Sequence, residues 1–301
     1  MNPPYAKTPT LLIDASIYIF QYYFSLPDHW FSEQEQWPTA AVYGYSAFLA
    51  RLLKEQQPAR IAACFDESLE HCFRNDIYPG YKASRALPDE ALAFQLRACR
   101  EVTELLGIAC FSSTRYEADD LLGSLYHCCQ RSKTPVAVLT RDKDLGQLLT
   151  RPQDFLWDYS SKDKTRSYSN DIATKFGVRP DQLADYLALV GDTIDDIPGV
   201  PGIGAKTASQ LLTHFGTIDQ LLLQLDVIPE LPIRRAKRIR ENLASHQEQI
   251  AIARQLATIV TSLPLIKAVS ALDRSRPKPR KLTAFCQRMG FPKLSASVCA
   301  H

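Results

Sequence analysis

Nine carboxylates occupy positions from which they can act together. Asp14, Asp66, Asp142 and Asp144 each follow a short apolar run, seen in Thr10-Leu-Leu-Ile13, Ile61-Ala-Ala-Cys-Phe65 and Val136-Ala-Val-Leu-Thr140. Glu117, Asp119 and Asp120 crowd the first turn of a helix that opens near Tyr116. Asp192 and Asp195 are three apart, which on a helical turn gives them one face. A single acid at a strand end is usually a helix cap, and Asp196 is read that way or as solvent-facing. Nine converging acids are different, because without cations they repel and shift one another's pKa. Mg²⁺ or Mn²⁺ would remove that penalty through oxygen ligation. Two such ions, roughly 3.5–4 Å apart, are a standard device for cleaving phosphodiesters.

Directly after Asp196 comes Ile-Pro-Gly199-Val-Pro-Gly202-Ile-Gly204-Ala-Lys206-Thr207. Glycine lets another backbone approach closely, and bare N–H groups can meet a phosphate. The spacing is not that of a P-loop. A hairpin between helices that grips a nucleic-acid backbone without reading its sequence fits better. Residues 73–85 interleave Arg74, Lys82 and Arg85 with Phe73, Tyr78 and Tyr81, a mixture suited to phosphate contact and base stacking. A solvated loop with snorkelling basic side chains accounts for that segment equally well.

These groups need a scaffold. Apolar runs at 10–14, 60–66, 108–111, 134–140 and 155–158 alternate with helical patterns at 15–24, 39–56, 90–106 and 116–130. That order predicts an α/β fold, a mostly parallel sheet with helices on both faces. In such sheets functional groups gather beyond the carboxyl ends of the strands, where the acids stand. From 170 onward the chain reads as helical. The 301 residues are 46% hydrophobic and 23% charged, an ordinary globular composition. The net charge of +2 hides a division: residues 230–301 carry 14 Lys and Arg against 4 Asp and Glu, while the remainder is net acidic. The acidic part suits cations and the basic part suits a polyanion. Eight cysteines form no C-x-x-C and no zinc spacing, as expected of free thiols in a reducing cytosol. No run is long enough to span a bilayer and no signal peptide opens the chain, so a cytoplasmic location is expected.

Seven segments in order, LLIDAS, CFD, FRNDIYPGYKASR, YEADDLLGSL, VLTRDKDLGQLL, GVRPDQLADYLALVGD and DDIPGVPGIGAKTA, closely resemble the 5′→3′ exonuclease and flap endonuclease family. Its members include the 5′-nuclease domain of bacterial family A DNA polymerases and the free-standing bacterial and phage 5′ nucleases. The likeness runs from about Leu11 to Gly290-Phe291, with no polymerase domain following, so a free-standing type is expected. It implies a PIN-like catalytic domain over 1–176, with a helical arch around 68–95 that admits a single-stranded 5′ end. A helical H3TH region over 177–301 would include the basic C-terminal part.

The resemblance also implies roles. Asp66, Glu117 and Asp119 would ligate a first Mg²⁺ or Mn²⁺, with Asp14 and Asp120 close by or acting through water. Asp142, Asp144, Asp192 and Asp195 would form the second-metal group. Lys82 and Arg85 would approach the scissile phosphate, with Arg74 a further basic group there. Gly199, Gly202, Gly204, Lys206 and Thr207 would grip the duplex, Val200 and Ile203 would offer carbonyls to K⁺, and Tyr81 would contact DNA. The expected substrate is DNA with a 5′ end, flap or nick, or an RNA–DNA hybrid, bound by a monomer that works beside a DNA polymerase or ligase. The chain departs from the family pattern at Gln21, where Arg is usual, and at Asp196, where Asn is common. Two other readings stand beside this one: a branched-DNA-binding protein with weak or no catalysis, and a PIN-type ribonuclease, which would not need the hairpin.

Overall fold

The computed structural model describes residues 8–27, 29–68, 71–131 and 134–299. The sheet's strands are β1 (Thr10–Asp14), β2 (Ile61–Asp66), β3 (Ala109–Ser113), β4 (Val136–Leu139), β5 (Phe155–Trp157) and β6 (Arg166–Ser167), in the spatial order β3-β2-β1-β4-β5-β6. All neighbours are parallel except β6, which returns antiparallel along β5. Because β1 lies between β2 and β4, the winding of the sheet reverses there. The crevice beyond the carboxyl ends of β1 and β4 is the topological switch point.

Period-two alternation divides the apolar side chains between two faces. Leu11, Ile13, Ile61 and Ala63 turn to a core with Tyr18, Phe48 and Val102. Their helices are α1 (Ala15–Ser25), α2 (Ala40–Gln56), α3 (Phe73–Ile77) and α4 (Glu90–Leu105), of which α1, α2 and α4 supply that core. Leu12, Ala62 and Cys64 face the other way, into a core with Leu122 and Leu189. This second layer uses α5 (Ala118–Gln130), α6 (Ser169–Phe176), α7 (Leu183–Val190) and α8 (Ala205–Phe215). It continues through α9 (Ile218–Leu223), α10 (Ala236–Ser245) and α11 (Gln247–Ala257). α12 (Pro279–Arg288) and α13 (Ser295–Cys299) return to the first face, where Leu282, Phe285 and Val298 are buried. Each fully buried Leu or Phe contributes about 1.5–3 kcal/mol.

Several elements differ from the sequence expectation. α3 was not anticipated, because five residues are too few to show periodicity; it is held by Asn75 Oδ1, which accepts from the Cys72 amide at 2.9 Å. Within the stretch read as helical from 170 onward, residues 180–190 divide into a 3₁₀ turn, Pro180–Gln182, and α7. Asp192 and Asp195 do not lie on a helical turn. A tight turn carries them, closed by Asp192 N–H to Ile197 C=O (2.9 Å) and the reciprocal bond (2.8 Å). Residues 69 and 70 of the expected arch lie outside the described residues. The eight cysteines are all free, and among the described residues no helix is long and apolar enough to cross a membrane.

A buried carboxylate ties the β4 and β5 ends of the sheet together. Asp154 accepts from Tyr126 Oη (2.6 Å), the Val136 amide (2.9 Å) and Arg151 Nε (2.7 Å). Asp154→Ala leaves the buried Tyr126 hydroxyl and Val136 amide without this acceptor, so it should lower the unfolding free energy by about 1–3 kcal/mol. Urea denaturation with an unchanged m-value is the check.

Candidate active site at the carboxyl edge of the sheet

The acids reach one cleft by different local devices. Asp14 ends β1 and caps α1; its Oδ1 accepts from Ile17 N (3.4 Å) and its Oδ2 from Thr140 Oγ1 (2.8 Å). Thr140 thereby joins β1 to the turn after β4, and it orients Asp142, whose amide donates to Thr140 Oγ1 at 3.0 Å. Asp66, ending β2, receives the Ala118 amide at 2.7 Å, so it faces the start of α5. Glu117 is the N-cap of α5, and Asp119 lies in its first turn. Asp142 Oδ1 accepts from Asp144 N (2.8 Å), and Asp192 Oδ1 from Ile194 N (2.8 Å). Glu117, Asp119, Asp142, Asp144, Asp192 and Asp195 line a narrow pocket together, with Asp14 and Asp66 electrostatically joined to Asp119 and Asp142 at its base.

The electrostatics follow from this crowding. Burial and the neighbouring Asp66 push Asp14 up to about 7. Burial, with Asp142 and Asp192, pushes Asp144 up to about 7. Asp66, Asp119 and Asp142 are raised by burial first and by carboxylate neighbours as well. Glu117 goes the other way: burial opposes its charge, but Lys82 and Arg74 overcome this and hold it below the usual range. Lys82 Nζ pairs with Glu117 and lies 3.5 Å from Asp195, while Arg85 Nη2 is 2.5 Å from Asp195. The donor set is all carboxylate oxygen, clustered and mutually repelling. That chemistry fits hard divalent cations. Among the described residues no three of these side chains close into a ready-made cage.

Three expected site residues are placed differently. Asp120 is fully buried and turns away from the cleft. Its oxygens accept from Arg74 Nη1 (2.7 Å), Arg74 Nη2 (2.8 Å), Glu117 N (3.2 Å) and Val260 N (2.9 Å), which fills its lone pairs. Arg74, expected to meet a phosphate, is 2% exposed. Besides Asp120 it donates to Glu117 (2.8 Å) and to the carbonyls of Leu256 (2.8 Å) and Thr258 (3.0 Å). It is the brace that fastens α5 and the 256–258 segment to α3. Tyr81, expected to contact DNA, is buried; its hydroxyl donates to Glu117 Oε2 at 2.9 Å, and its ring lies under Lys82 and Arg74. Burial leaves that ring no open face for a base.

Lys82 has φ +53 and Asp196 has φ +55, both left-handed and non-glycine. They face each other across one junction. Lys82 N–H donates to Asp195 C=O (3.0 Å), and Asp196 Oδ2 accepts from Ser84 N (2.9 Å) and Ser84 Oγ (2.7 Å). Asp and Asn are the side chains best tolerated there, which gives a physical reason for finding either at position 196. Gln21 points to Ser160, whose hydroxyl donates to it at 3.0 Å.

The hairpin glycines divide by role. A Cβ on Gly199 would lie 2.1 Å from the Val190 carbonyl oxygen, so Gly199 serves close packing against the end of α7. Gly202 has φ +80. Gly204 has open space around it, beside exposed Lys206 and half-buried Thr207. Val200 and Ile203 are buried. Two amides that drew no attention in the sequence brace the hairpin: Gln249 Nε2 donates to Gly199 C=O (2.9 Å) and Asn242 Nδ2 to Pro201 C=O (2.7 Å). Neither lies in a recognisable motif.

A doubly wound sheet with an acid cleft at its switch point, continued by helices carrying a glycine hairpin, defines an α/β protein with a candidate active site at the carboxyl edge of its sheet. More particularly, the chain belongs to the 5′-3′ exonuclease family: residues 9–177 match its N-terminal resolvase-like domain and residues 178–280 its C-terminal SAM fold. It is 37% identical over 294 residues to the thermostable DNA polymerase I of Thermus aquaticus, covering 96% of this chain and 33% of that protein. It is 33% identical over 264 residues to the 5′-3′ exonuclease of Buchnera aphidicola subsp. Schizaphis graminum, covering 87% of this chain and 90% of that protein. The chain thus spans about a third of the length of the DNA polymerase I relatives it matches. Among solved structures, the T5 D15 protein co-crystallised with metal ions superposes with a TM-score of 0.66 at 20% identity, covering 97% of this chain and 100% of that one. The catalytic core of Rad2 in complex with DNA substrate gives 0.61 at 15% identity, covering 98% and 92%.

Two measurements check this geometry. Asp14 and Asp144, held near 7, bind protons in the folded chain that the unfolded chain releases above about pH 4. Their contribution to stability therefore falls as pH rises from about 4 to 7, and a cation bound to the ionised acids reverses the loss. The thermal midpoint should rise on adding Mg²⁺ by more at pH ~7.5 than at pH ~5; equal shifts would contradict the clustering. Separately, Gly199→Ala should lower the thermal midpoint markedly, because backbone opposes its Cβ, while Gly204→Ala, whose Cβ meets nothing, should lower it less, by the loss of a glycine N-cap alone.

Proposed function

We propose that this protein is a divalent-metal-dependent, structure-specific 5′ nuclease that hydrolyses phosphodiester bonds at 5′ ends, flaps or nicks of DNA. The observation that carries the reading is the cleft itself: eight carboxylates from separate segments, with Lys82 and Arg85 among them, at the switch point of the sheet. Asp66, Glu117, Asp119 and Asp14 would hold one Mg²⁺ or Mn²⁺, and Asp142, Asp144, Asp192 and Asp195 another. When bound, such ions supply Lewis-acid activation of water and stabilise the leaving 3′-oxygen.

The chain's own side chains do the rest. Lys82 and Arg85 exchange Glu117 and Asp195 for the phosphoryl oxygens of the scissile group and stabilise the charge that develops there. Thr140 fixes the Asp14 carboxyl and the turn bearing Asp142. Arg74 and Asp120 act as a positioning pair, holding Glu117 at the head of α5. The left-handed junction at Lys82 and Asp196 ties the basic segment to the acid-bearing turn, so that both meet one phosphate.

Residues 68–95 would form the arch over a single-stranded 5′ end. A cavity of about 880 Å³ opens there, lined in part by Phe20, Tyr23, Arg85 and Leu87. Gly202 to Thr207 would grip the duplex through backbone N–H groups, with the Val200 and Ile203 carbonyls offered to K⁺. RNA in RNA–DNA hybrids is within reach of such a backbone grip, which reads no base.

Cleavage of 5′-labelled flap, nicked and gapped duplexes tests the proposal, with product lengths read in Mg²⁺ and in Mn²⁺. A mononucleotide ladder or a single cut at the junction is expected. Asp142→Asn or Asp192→Asn should lower the rate by at least about 10²-fold. Flap cleavage that survives either substitution would overturn the assignment.

A further inference from the structure

Residues 234–238, Arg-Arg-Ala-Lys-Arg, open α10 and place four cations on its solvent side: Arg234, Arg235, Lys237 and Arg238 are all exposed. Among the described residues their side chains make no ion pair or hydrogen bond. The fifth cation of the run, Arg240, is already spent on Asp226 at 2.7 Å. The acids near the free cations are Glu230 and Glu241, both exposed, with Glu241 one turn after Arg238. The patch remains net positive. Nothing in the catalytic cleft uses it.

Its position gives it meaning. Asn242, also on α10, donates to the Pro201 carbonyl at 2.7 Å and is the side-chain neighbour of Gly202. α10 is therefore anchored to the tip of the hairpin. Residues 238 and 242 are four apart on α10 and share one face, and Arg235 precedes them as the helix N-cap in left-handed backbone (φ +60). Arg238 stands four residues, about 6 Å, from the anchor, and Arg235 about 10 Å away. Phosphates of one DNA strand advance by about 3.4 Å along the duplex axis. A backbone held at Gly202 to Lys206 would thus pass its next few phosphates along this face. The Arg238 side chain, tilted toward the helix N-terminus, reaches toward exposed Arg235 along the same line.

We propose that Arg235 and Arg238 form a second phosphate grip that continues the hairpin's hold on duplex DNA, with Arg234 and Lys237 flanking it. This deepens the duplex-binding part of the function proposed above and rests on it. The contact reads no sequence; it lengthens the footprint and fixes the duplex axis relative to the cleft. Asn242 serves as the joint between the two grips.

The test is the salt dependence of binding to a blunt duplex in EDTA, so that cleavage plays no part. Each phosphate contact contributes a slope of about −0.9 in log K against log salt. Arg235→Gln/Arg238→Gln should reduce the slope by about 1.8 and weaken binding most at low salt. Lys293→Gln, an exposed lysine in another part of the fold, is the control for net charge alone and should keep the full slope. Both positions are exposed, so the double variant should melt with the wild type. A slope equal to wild type, or a loss no greater than that of Lys293→Gln, would overturn the proposal. A wild type that binds with the predicted slopes but cuts no 5′-ended substrate would defeat the nuclease reading and leave this grip standing.

Discussion

Burial of a cluster of carboxylates, with the repulsion it brings, is the constraint on which this structure depends. Asp14, Asp66, Asp119, Asp142 and Asp144 are all raised above the ordinary carboxylate range, by burial first and by neighbouring carboxylates second, so the folded chain holds them where ionisation is costly. Such an arrangement persists only when the surroundings over-determine it. Two hydrophobic faces of a six-stranded sheet do this, because strand register fixes where β1, β2 and β4 end. Hydrogen bonds then aim the individual oxygens: Thr140 on Asp14, the Ala118 amide on Asp66 and the Asp144 amide on Asp142.

The positive charges in the cleft are of two kinds. Arg74 is buried, with its donors engaged by Asp120, Glu117 and two carbonyls. A buried ion pair with every donor satisfied is a rigid joint, and removing one partner strands the other. Lys82 and Arg85 are more open, each resting on an acid of the cleft. In the proposed function they would leave those acids for a phosphate, since the exchange replaces one ionic contact with another. The left-handed Lys82 and Asp196 keep this mobile pair of charges attached to the turn that carries Asp192 and Asp195.

The helical half is coupled to the cleft through backbone proximity. Gly199 lets the hairpin pack against the last carbonyl of α7, one residue before Gly191 and two before Asp192. Gln249 and Asn242 hold two hairpin carbonyls from behind. Backbone interlocking of this kind transmits position without flexible side chains, so the distance from hairpin to cleft is set by covalent geometry and two amide contacts.

The sequence by itself determined the fold class and the location of the acids. Short apolar runs ending in Asp read directly as parallel strands with their carboxyl ends charged, because a period-two pattern and a strand terminus are local properties. The glycine hairpin was legible for the same reason. What each acid does was not. Asp119 and Asp120 are adjacent and chemically identical, yet one lies against Asp142 and Asp14 while the other is sealed against Arg74 and Val260. Tyr81 looked like a stacking ring and became a buried support. Gly199, Gly202 and Gly204 looked equivalent, yet only one has a carbonyl where its Cβ would be. These outcomes were decided by tertiary structure alone, because burial, hydrogen-bond partners and field depend on segments far away in the chain. Spacing fixes which residues can meet; packing fixes which oxygen faces the cleft and which faces an arginine.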